Sequence, residues 1–221
     1  GGVIDGDAVA DEEWVGELVR GCKEQNALAV GGKMVGDWVT GNPSFLPEEF
    51  YWLVGVTHRG FADGDGWVRN TFGSNISFEH DVFLELNGFN TEIGGRKGDA
   101  NLQGGETELC ARLASGYGEQ VWYNPDAVVA HKVFDYRIEL TWLLDRAFWQ
   151  GYSKRAMETL VPESGGEEGE FLDDLVTEFV PGRMKELVRS PSVVAAVQLM
   201  MLLVFTGCVG GGYLYGLVRY R

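Results

Sequence analysis

The sequence is poor in cysteine, in histidine and in basic residues. Its three cysteines, Cys22, Cys110 and Cys208, are scattered and show no Cys-x-x-Cys spacing. A disulfide framework or a zinc knuckle is therefore not expected, and a reducing compartment is favoured. With 18 lysines and arginines against 33 aspartates and glutamates, the formal charge is −15. A nucleic-acid-binding protein carries a basic face, so nucleic acid is excluded as an expected partner.

An initiator methionine is also missing, and an acidic motif, Asp5-Gly6-Asp7, follows the short apolar segment Val3-Ile4 almost at once. Two carboxylates that flank one small residue after a strand can hold a hard divalent cation against a diphosphate. In isolation, such a motif is more often a solvated turn. An EF-hand is excluded because Val9 occupies the third ligand position and no glutamate follows at loop position twelve.

Hydrophobic periodicity before residue 160 predicts alternating strands and helices, which is typical of an α/β fold. A turn at Pro125-Asp126 is expected to separate two short strands, and Asp11 is expected to cap the first helix. Glycines between residues 94 and 105 predict a loop. Strands are predicted at Ala27–Val35 (interrupted by Gly31-Gly32), Thr71–Phe78, Gln120–Tyr123 and Val128–Val133, and helices at 11–24, 81–87, 106–115 and 138–160.

The segment Val193–Val218 contains no charge and only Gln198 as a strongly polar side chain. As a helix it would be about 39 Å long, which is enough to cross a bilayer. We therefore predict one transmembrane helix; the alternative is a buried helix of a soluble core. The basic residues before it (Arg183, Lys185, Arg189) outnumber those after it (Arg219, Arg221), which favours a cytoplasmic domain before the helix.

Further motifs follow the acidic motif in a fixed order: Gly73-Ser74-Asn75, Gly105-Glu106-Thr107-Glu108-Leu109, Asn124-Pro125-Asp126-Ala127 and His131. In this order they resemble the second half of a family 2, GT-A type nucleotide-sugar glycosyltransferase, over roughly residues 3–157. The resemblance implies the C-terminal part of a GT-A, Rossmann-like domain at 1–160. An acidic linker with an amphipathic juxtamembrane segment at 161–190 and a transmembrane helix with a short tail at 191–221 would follow.

The strands that hold the base and ribose would, by this resemblance, lie upstream of Val3. We therefore expect these 221 residues alone neither to bind a nucleotide-sugar nor to transfer sugar.

The resemblance also assigns roles to single residues. Asp7 would bind Mg²⁺ or Mn²⁺ directly, and Asp5 would face the ribose or a metal-bound water. His131 would complete the metal shell; the alternative is a histidine of the core or the sheet edge. Gly73, Ser74 and Asn75 would line the donor pocket, where a larger side chain would obstruct the sugar.

Glu106 would be the general base that deprotonates an acceptor hydroxyl. Similar enzymes carry two consecutive acids at this point, and Gly105 stands here in place of the first acid. The alternative is that Glu106 and Glu108 only favour a helix N-terminus through the helix dipole.

A polar stripe at i, i+4, i+8 on the long helix is the candidate acceptor-binding surface. It consists of Arg146, Gln150 and Lys154, with Trp149 beside it, and would bind the acceptor's phosphate. The alternative is a solvated helix face. His58, His80 and the Asp63-Gly64-Asp65-Gly66 run lack a comparable context and are expected at the surface.

The runs Arg69-Asn-Thr-Phe-Gly-Ser-Asn-Ile-Ser-Phe and Phe148-Trp-Gln-Gly-Tyr-Ser-Lys-Arg155 are similar to those of one archaeal subgroup. Its members extend dolichyl-phosphate-linked sugars for protein N-glycosylation, and some resemble glucosyl-dolichyl phosphate glucuronosyltransferases. The implied partners are a nucleotide-sugar donor, a lipid-linked saccharide acceptor and the membrane. The alternatives are a polyprenyl-phosphate glycosyltransferase, whose anionic acceptor needs no base, and a membrane-anchored pseudo-enzyme.

Overall fold

The chain divides into two compact units in the computed structural model, which describes residues 1–97, 100–160 and 167–220. The first unit comprises Gly1–Val39, Gly55–Thr57 and Phe61–Val133, and the second comprises Thr40–Val54, His58–Gly60 and Phe134–Arg221. The long helix at 140–160, which the sequence places in the domain 1–160, belongs to the second unit.

The first unit is built on a mixed sheet with the strand order β1-β5-β3-β8-β2, in which β4 also pairs with β8. The two long strands, β3 and β8, run parallel, and the other pairs in this sheet are antiparallel. β6 and β7 form a separate antiparallel pair. The strands are β1 (Gly2–Val3), β2 (Ala8–Ala10), β3 (Ala29–Trp38), β4 (Gly66–Val68), β5 (Ile76–Phe78), β6 (Gly95–Lys97), β7 (Ala100–Leu102) and β8 (Val121–Val133).

Helices α1 (Trp14–Gln25), α2 (His80–Glu85) and α3 (Gly105–Tyr117) cover this sheet. Because side chains alternate along a strand, Ala29 and Val30 of β3 enter different cores. Ala29 packs in the cluster that contains Leu109 of α3, and Val30 packs in the cluster that contains Leu18 of α1. The α/β fold class predicted from the sequence is confirmed.

Two local predictions about the strands were wrong. Gly31 and Gly32 do not interrupt β3; they let neighbouring segments approach it. A Cβ on Gly31 would lie 2.2 Å from Cγ2 of Thr71, and one on Gly32 would lie 1.9 Å from the carbonyl oxygen of Ala127. Pro125-Asp126 does not end a strand either, because β8 continues through this point with a shift in its register against β3 between Gly32 and Lys33.

The structure also differs from the predictions at the N-terminus of α1 and in the glycine-rich loop. The residue that precedes α1 is Glu13, and Asp11 instead accepts a hydrogen bond from the backbone N–H of Glu13 through Oδ1 at 3.0 Å. The predicted glycine-rich loop contains the β6–β7 pair. Gly98, which belongs to that loop, lies outside the described residues, as do residues 162–166 of the predicted linker.

The second unit is helical. A 3₁₀ segment at Glu48–Val54 and another at Asp135–Ile138 precede α4 (Leu140–Leu160). The helices α5 (Glu167–Asp174) and α6 (Val180–Arg189) are joined by a π-helical segment at Leu175–Phe179, and α6 continues through Pro181-Gly182. The helix α7 (Val193–Arg219) begins after Ser192, whose side chain accepts a hydrogen bond from the N–H of Ala195. Within the described residues, α7 has the length and composition needed to cross a membrane.

Candidate functional site

The acidic motif forms a turn between β1 and β2. The N–H of Ala8 donates to the carbonyl oxygen of Asp5 at 3.1 Å, and the N–H of Lys132 donates to the carbonyl oxygen of Asp7 at 2.8 Å. Asp5 is exposed, whereas the side chain of Asp7 is only 24% exposed. The backbone therefore fixes Asp7 against the end of β8.

His131 lies on β8 beside this turn. It pairs with Ala8 of β2 on one side and with Gly36 of β3 on the other. Its side chain is 8% exposed, and its Nε2 lies 3.6 Å from Oδ1 of Asp7. Gly55, at φ +75°, packs against the ring, because a Cβ there would lie 2.9 Å from Cε1 of His131. The structure thus brings the two predicted metal ligands together.

The separation of these two atoms suits a shared cation. Ligand atoms that are about 2.1 Å from one ion lie about 3.0 Å apart at a right angle and about 4.2 Å apart on opposite sides. The 3.6 Å between Asp7 Oδ1 and His131 Nε2 falls in this interval. Among the described residues, no group of three or more His, Cys, Asp or Glu side chains could hold a metal ion. Any ion at Asp7 and His131 would therefore need further ligands of another kind, such as backbone carbonyls, water or a bound anion.

Glu106 lies in the first turn of α3, next to Gly73. A Cβ on Gly73 would be 3.5 Å from Cβ of Glu106 and 3.6 Å from its Oε2, so these two predicted site residues are in contact distance. The helix begins after Gly104, which has φ +98°. Asn70 donates to Oγ1 of Thr107 at 2.7 Å, and this bond ties the segment before Gly73 to the first turn of α3.

Asn75 is fully buried, and its placement revises its predicted role in donor binding. Its Oδ1 accepts a hydrogen bond from Nε1 of Trp14 at 2.8 Å. Its Nδ2 donates to the carbonyl oxygens of Ala127 at 2.8 Å and Lys33 at 3.1 Å. Because these bonds use the whole amide inside the protein, Asn75 supports the 73–75 turn instead of contacting a ligand. Ser74 is 8% exposed and approaches Sδ of Met34 at 3.9 Å.

Glu108 has a structural environment that differs from that of Glu106. Glu108 is 5% exposed, and its carboxylate accepts two hydrogen bonds from Arg112, each at 2.7 Å. Arg112 also donates to the carbonyl oxygens of Leu86 and Gly88, the latter at 2.7 Å. This pair joins α3 to the segment that follows α2.

The predicted acceptor stripe lies on α4, in the second unit. The side chains of Arg146, Gln150 and Lys154 are partly buried, so the face is not fully solvated. Trp149 donates from Nε1 to Asp145 at 3.1 Å and packs edge-on against Tyr152, with ring centroids 5.2 Å apart.

His58, expected at the surface, is partly exposed. Burial, followed by the positive charge of Lys154, lowers the pKa of His58 to about 4. His80 is exposed, as predicted, and so are Asp63 and Asp65.

Comparison with known proteins decides the family. The chain is 49% identical over 217 residues to the glucosyl-dolichyl phosphate glucuronosyltransferase of Haloferax volcanii, and this alignment covers 98% of the chain and 69% of the relative. The chain belongs to the glucosyl-dolichyl phosphate glucuronosyltransferase family. No protein-family model matches the sequence.

In this member of the glucosyl-dolichyl phosphate glucuronosyltransferase family, sequence reasoning missed three supporting residues. Gly55 lies in a stretch without periodicity, so nothing in the pattern relates it to His131. Trp14 reads as an ordinary apolar residue of α1, although its indole N–H holds Asn75. Arg112 had a visible signal, because it follows Glu108 at i+4, the spacing at which a helix places opposite charges together.

Proposed function

We propose that this protein is a metal-dependent, inverting glycosyltransferase of the GT-A type, family 2. It transfers a sugar from a nucleotide-sugar to a dolichyl-phosphate-linked saccharide during assembly of a glycan for protein N-glycosylation. The name of the relative suggests a glucuronosyl donor and a glucosyl-dolichyl phosphate acceptor. The observation that carries the proposal is the pairing, in one folded unit, of Asp7 with His131 and of Glu106 with Gly73.

Glu106 acts as the general base. Its carboxylate takes the proton of the acceptor hydroxyl as the hydroxyl oxygen attacks the anomeric carbon and the nucleoside diphosphate leaves from the opposite side. Gly73 keeps space beside this carboxylate, because even a methyl group there would be in van der Waals contact with it.

Asp7 and His131 would hold a Mg²⁺ or Mn²⁺ ion. When bound, the cation neutralises charge on the departing diphosphate. Asp5, exposed at the same turn, faces the ribose or a water molecule. Ser74 lines the donor pocket with Gly73, and Asn75 holds their turn in place through its three hydrogen bonds.

His131 and the turn that contains Gly73 are attached to different points of strand β3. The N–H of Gly32 on β3 donates to the carbonyl oxygen of Asn75, and Gly36 on the same strand pairs with His131. Four residues of a strand span about 13 Å. The sheet thus offers one region for the diphosphate and its cation, and another for the base and the reacting sugar.

The polar stripe of α4, with Arg146, Gln150, Lys154 and Trp149, binds the phosphate and saccharide of the acceptor. The protein acts at the cytoplasmic side of the cell membrane, where α7 attaches it.

Two other functions compete with this one. A polyprenyl-phosphate glycosyltransferase would use an acceptor that is already anionic, and a pseudo-enzyme would transfer nothing. Glu106, placed beside Gly73, favours a hydroxyl acceptor over the phosphate.

Transfer of radiolabelled sugar by the full-length protein from UDP-glucuronic acid to glucosyl-dolichyl phosphate, and separately to dolichyl phosphate, distinguishes these functions. We expect label on the glucosylated lipid only, and loss of that label with Asp7→Ala or Glu106→Gln. Label on dolichyl phosphate would support a polyprenyl-phosphate glycosyltransferase. Failure to label either lipid with UDP- or GDP-sugars would support a pseudo-enzyme.

A further inference from the structure

The first half of α7 is built into the folded core of the second unit. Oε1 of Gln198 accepts a hydrogen bond from Arg183 at 2.7 Å, and its Nε2 donates to the carbonyl oxygen of Ser44 at 2.9 Å. Phe205 is fully buried, with its ring centroid 5.3 Å from that of Phe50. The strongly polar residue of this helix is therefore tied to α6 and to the loop before the 3₁₀ segment.

The second half of α7 is in backbone contact with α4. A Cβ on Gly212 would lie 1.8 Å from the carbonyl oxygen of Phe148, and a Cβ on Gly151 would lie 1.8 Å from the carbonyl oxygen of Val209. Only glycine fits at either position, and such pairs allow two helices to approach closely. α7 and α4 are thus one packed helix pair.

Charged groups of α4 also bind the far end of α7. Tyr213 donates its hydroxyl hydrogen to the carboxylate of Glu158 at 2.9 Å, and Nη2 of Arg155 donates to the carbonyl oxygen of Tyr220 at 3.1 Å. From Gln198 to Tyr220 the helical path is about 33 Å, similar to the hydrocarbon thickness of a bilayer. A helix that crossed the membrane would therefore carry α4 and its charged side chains into the hydrocarbon, where charged groups are unfavourable.

The other face of α7 is apolar along its whole length. Between Val193 and Val218, every exposed residue is apolar or glycine apart from Tyr215, and Leu214 and Val218 are 63% and 65% exposed. α6, which packs against α7, adds exposed Met184 and Val188. An exposed apolar surface of this length is expected to contact a membrane or another protein. Because it offers almost no hydrogen-bonding groups, lipid chains fit it better than a polar protein partner does.

Basic side chains stand at both ends of this face. Lys185 and Arg189 are exposed before α7, and Arg219 is exposed at its end. A crossing helix is expected to carry its positive charge mainly at the cytoplasmic end. Similar charge at both ends is expected when both ends meet the same anionic headgroup layer.

We propose that α7 lies along one surface of the bilayer, with its outer apolar face in the lipid and both of its ends on the same side. This replaces the single crossing predicted from length and composition. The inference rests on the membrane location in the proposed function, and it is independent of the sugar transfer.

Labelling at the two ends of α7 tests the inference. Purified protein is bound to preformed vesicles of neutral and anionic phospholipid and recovered by flotation. Single substitutions Ser190→Cys and Arg219→Cys are then treated with a membrane-impermeant maleimide, and mass spectrometry scores each cysteine separately from Cys22, Cys110 and Cys208. We expect both positions to be labelled from outside as fully as in detergent. Labelling of one position only, with the other reached after detergent is added, would overturn the inference.

A second experiment tests the outer face. Leu203→Glu combined with Leu214→Glu should weaken vesicle binding at least ten-fold without changing the circular dichroism spectrum, because both side chains are exposed. Leu84→Glu, an exposed leucine of the first unit, is the matched control and should leave binding unchanged. A double variant that becomes monomeric but still floats would assign the face to a second copy and overturn the inference. If wild-type protein does not float with the vesicles, the membrane location in the proposed function is overturned. If the cysteines at positions 190 and 219 are labelled from opposite sides of the bilayer, only the present inference is overturned and the membrane location stands.

Discussion

Nε2 of His131 lies 3.6 Å from Oδ1 of Asp7, although the two residues stand near opposite ends of the first unit's sequence. Backbone bonds set this distance: Ala8 pairs with His131, and the N–H of Lys132 donates to the carbonyl oxygen of Asp7. Gly55 limits the movement of the imidazole on another side. The two side chains are therefore held near each other by the fold itself, as a preorganised binding site requires.

Removing either of these side chains should weaken metal binding. We expect Asp7→Asn and His131→Gln each to lower Mn²⁺ affinity at least ten-fold, because each removes one ligand from a site with few protein ligands. Titration calorimetry of the full-length protein with Mn²⁺ in the presence of nucleoside diphosphate measures this. Asp63→Asn and His80→Gln, which change exposed residues of the same types, should bind Mn²⁺ as the wild type does. If both site variants bound Mn²⁺ with wild-type affinity, Asp7 and His131 would not share an ion.

Glu106→Gln should impair catalysis, whereas Glu108→Gln should lower stability. Glu106→Gln keeps the size of the side chain but removes proton acceptance, so we expect kcat to fall by roughly 10²–10⁴ with little change in donor affinity. Glu108→Gln removes the charge that binds Arg112 in a nearly buried pair, so it should lower the unfolding temperature. Single-turnover transfer assays and thermal unfolding of both variants check this. A larger fall in kcat with Glu108→Gln would show that the base is assigned two residues too early.

Gly73→Val should impair catalysis without unfolding the protein. A Cβ at residue 73 fits at 3.5 Å from Glu106, and the two further methyl groups of valine would enter the space beside its carboxylate. We expect kcat/KM to fall at least ten-fold, while Gly73→Ala has a smaller effect and both keep the wild-type unfolding temperature. Gly64→Val, at an exposed glycine with no neighbour within 4 Å of its Cβ position, is the control. Full activity of Gly73→Val would mean that nothing binds beside Glu106.

The candidate site could be predicted from the sequence where function depends on residue type in a short motif. Asp7, His131 and Glu106 were singled out in this way, and the structure places His131 beside Asp7 and Glu106 beside Gly73. The supporting residues could not be predicted, because their identity reflects contacts between distant segments. Asn75 looks like part of the donor motif until the indole of Trp14 is seen to bind it.

The fold was predictable to a similar degree. Periodicity identified the helices α1 to α4 and the strands β3, β5 and β8, since it follows from burial of one face. It misjudged Gly31-Gly32 and Pro125, because glycine and proline usually interrupt a strand, whereas here close packing and a register shift accommodate them. Apolar length identified α7, but a sequence does not show that α4 covers one face of that helix through Gly151 and Gly212.

Asn75→Ala should destabilise the protein strongly. It would leave the Trp14 indole N–H and the carbonyl oxygens of Ala127 and Lys33 without this partner inside the protein. A buried group that loses its hydrogen bond costs about 1–3 kcal/mol, so we expect a loss of roughly 2–4 kcal/mol in the free energy of unfolding. Urea unfolding measures it. Ser74→Ala, whose hydroxyl makes only a weak contact with Met34, should change stability by less than about 1 kcal/mol. Similar stability of the two variants would contradict the supporting role of Asn75.

Protonation of His58 should make the protein less stable in mild acid. Burial and the charge of Lys154 lower the pKa of His58 from 6.5 to about 4 in the folded protein. Between these two values the unfolded chain binds a proton that the folded chain does not, so stability falls as the pH drops through this window. A shift of this size corresponds to at most about 3 kcal/mol.

His58→Gln removes this contribution, so the variant should lose less stability than the wild type between pH 7 and pH 4. Urea unfolding at several pH values measures the difference between the two slopes. His80→Gln is the matched control, because it removes an exposed histidine from the same chain and should follow the wild-type curve. Since the carboxylates are common to all three proteins, their titration cancels in the comparison. Parallel curves for His58→Gln and the wild type would show that His58 takes up its proton as readily in the folded chain as in the unfolded one.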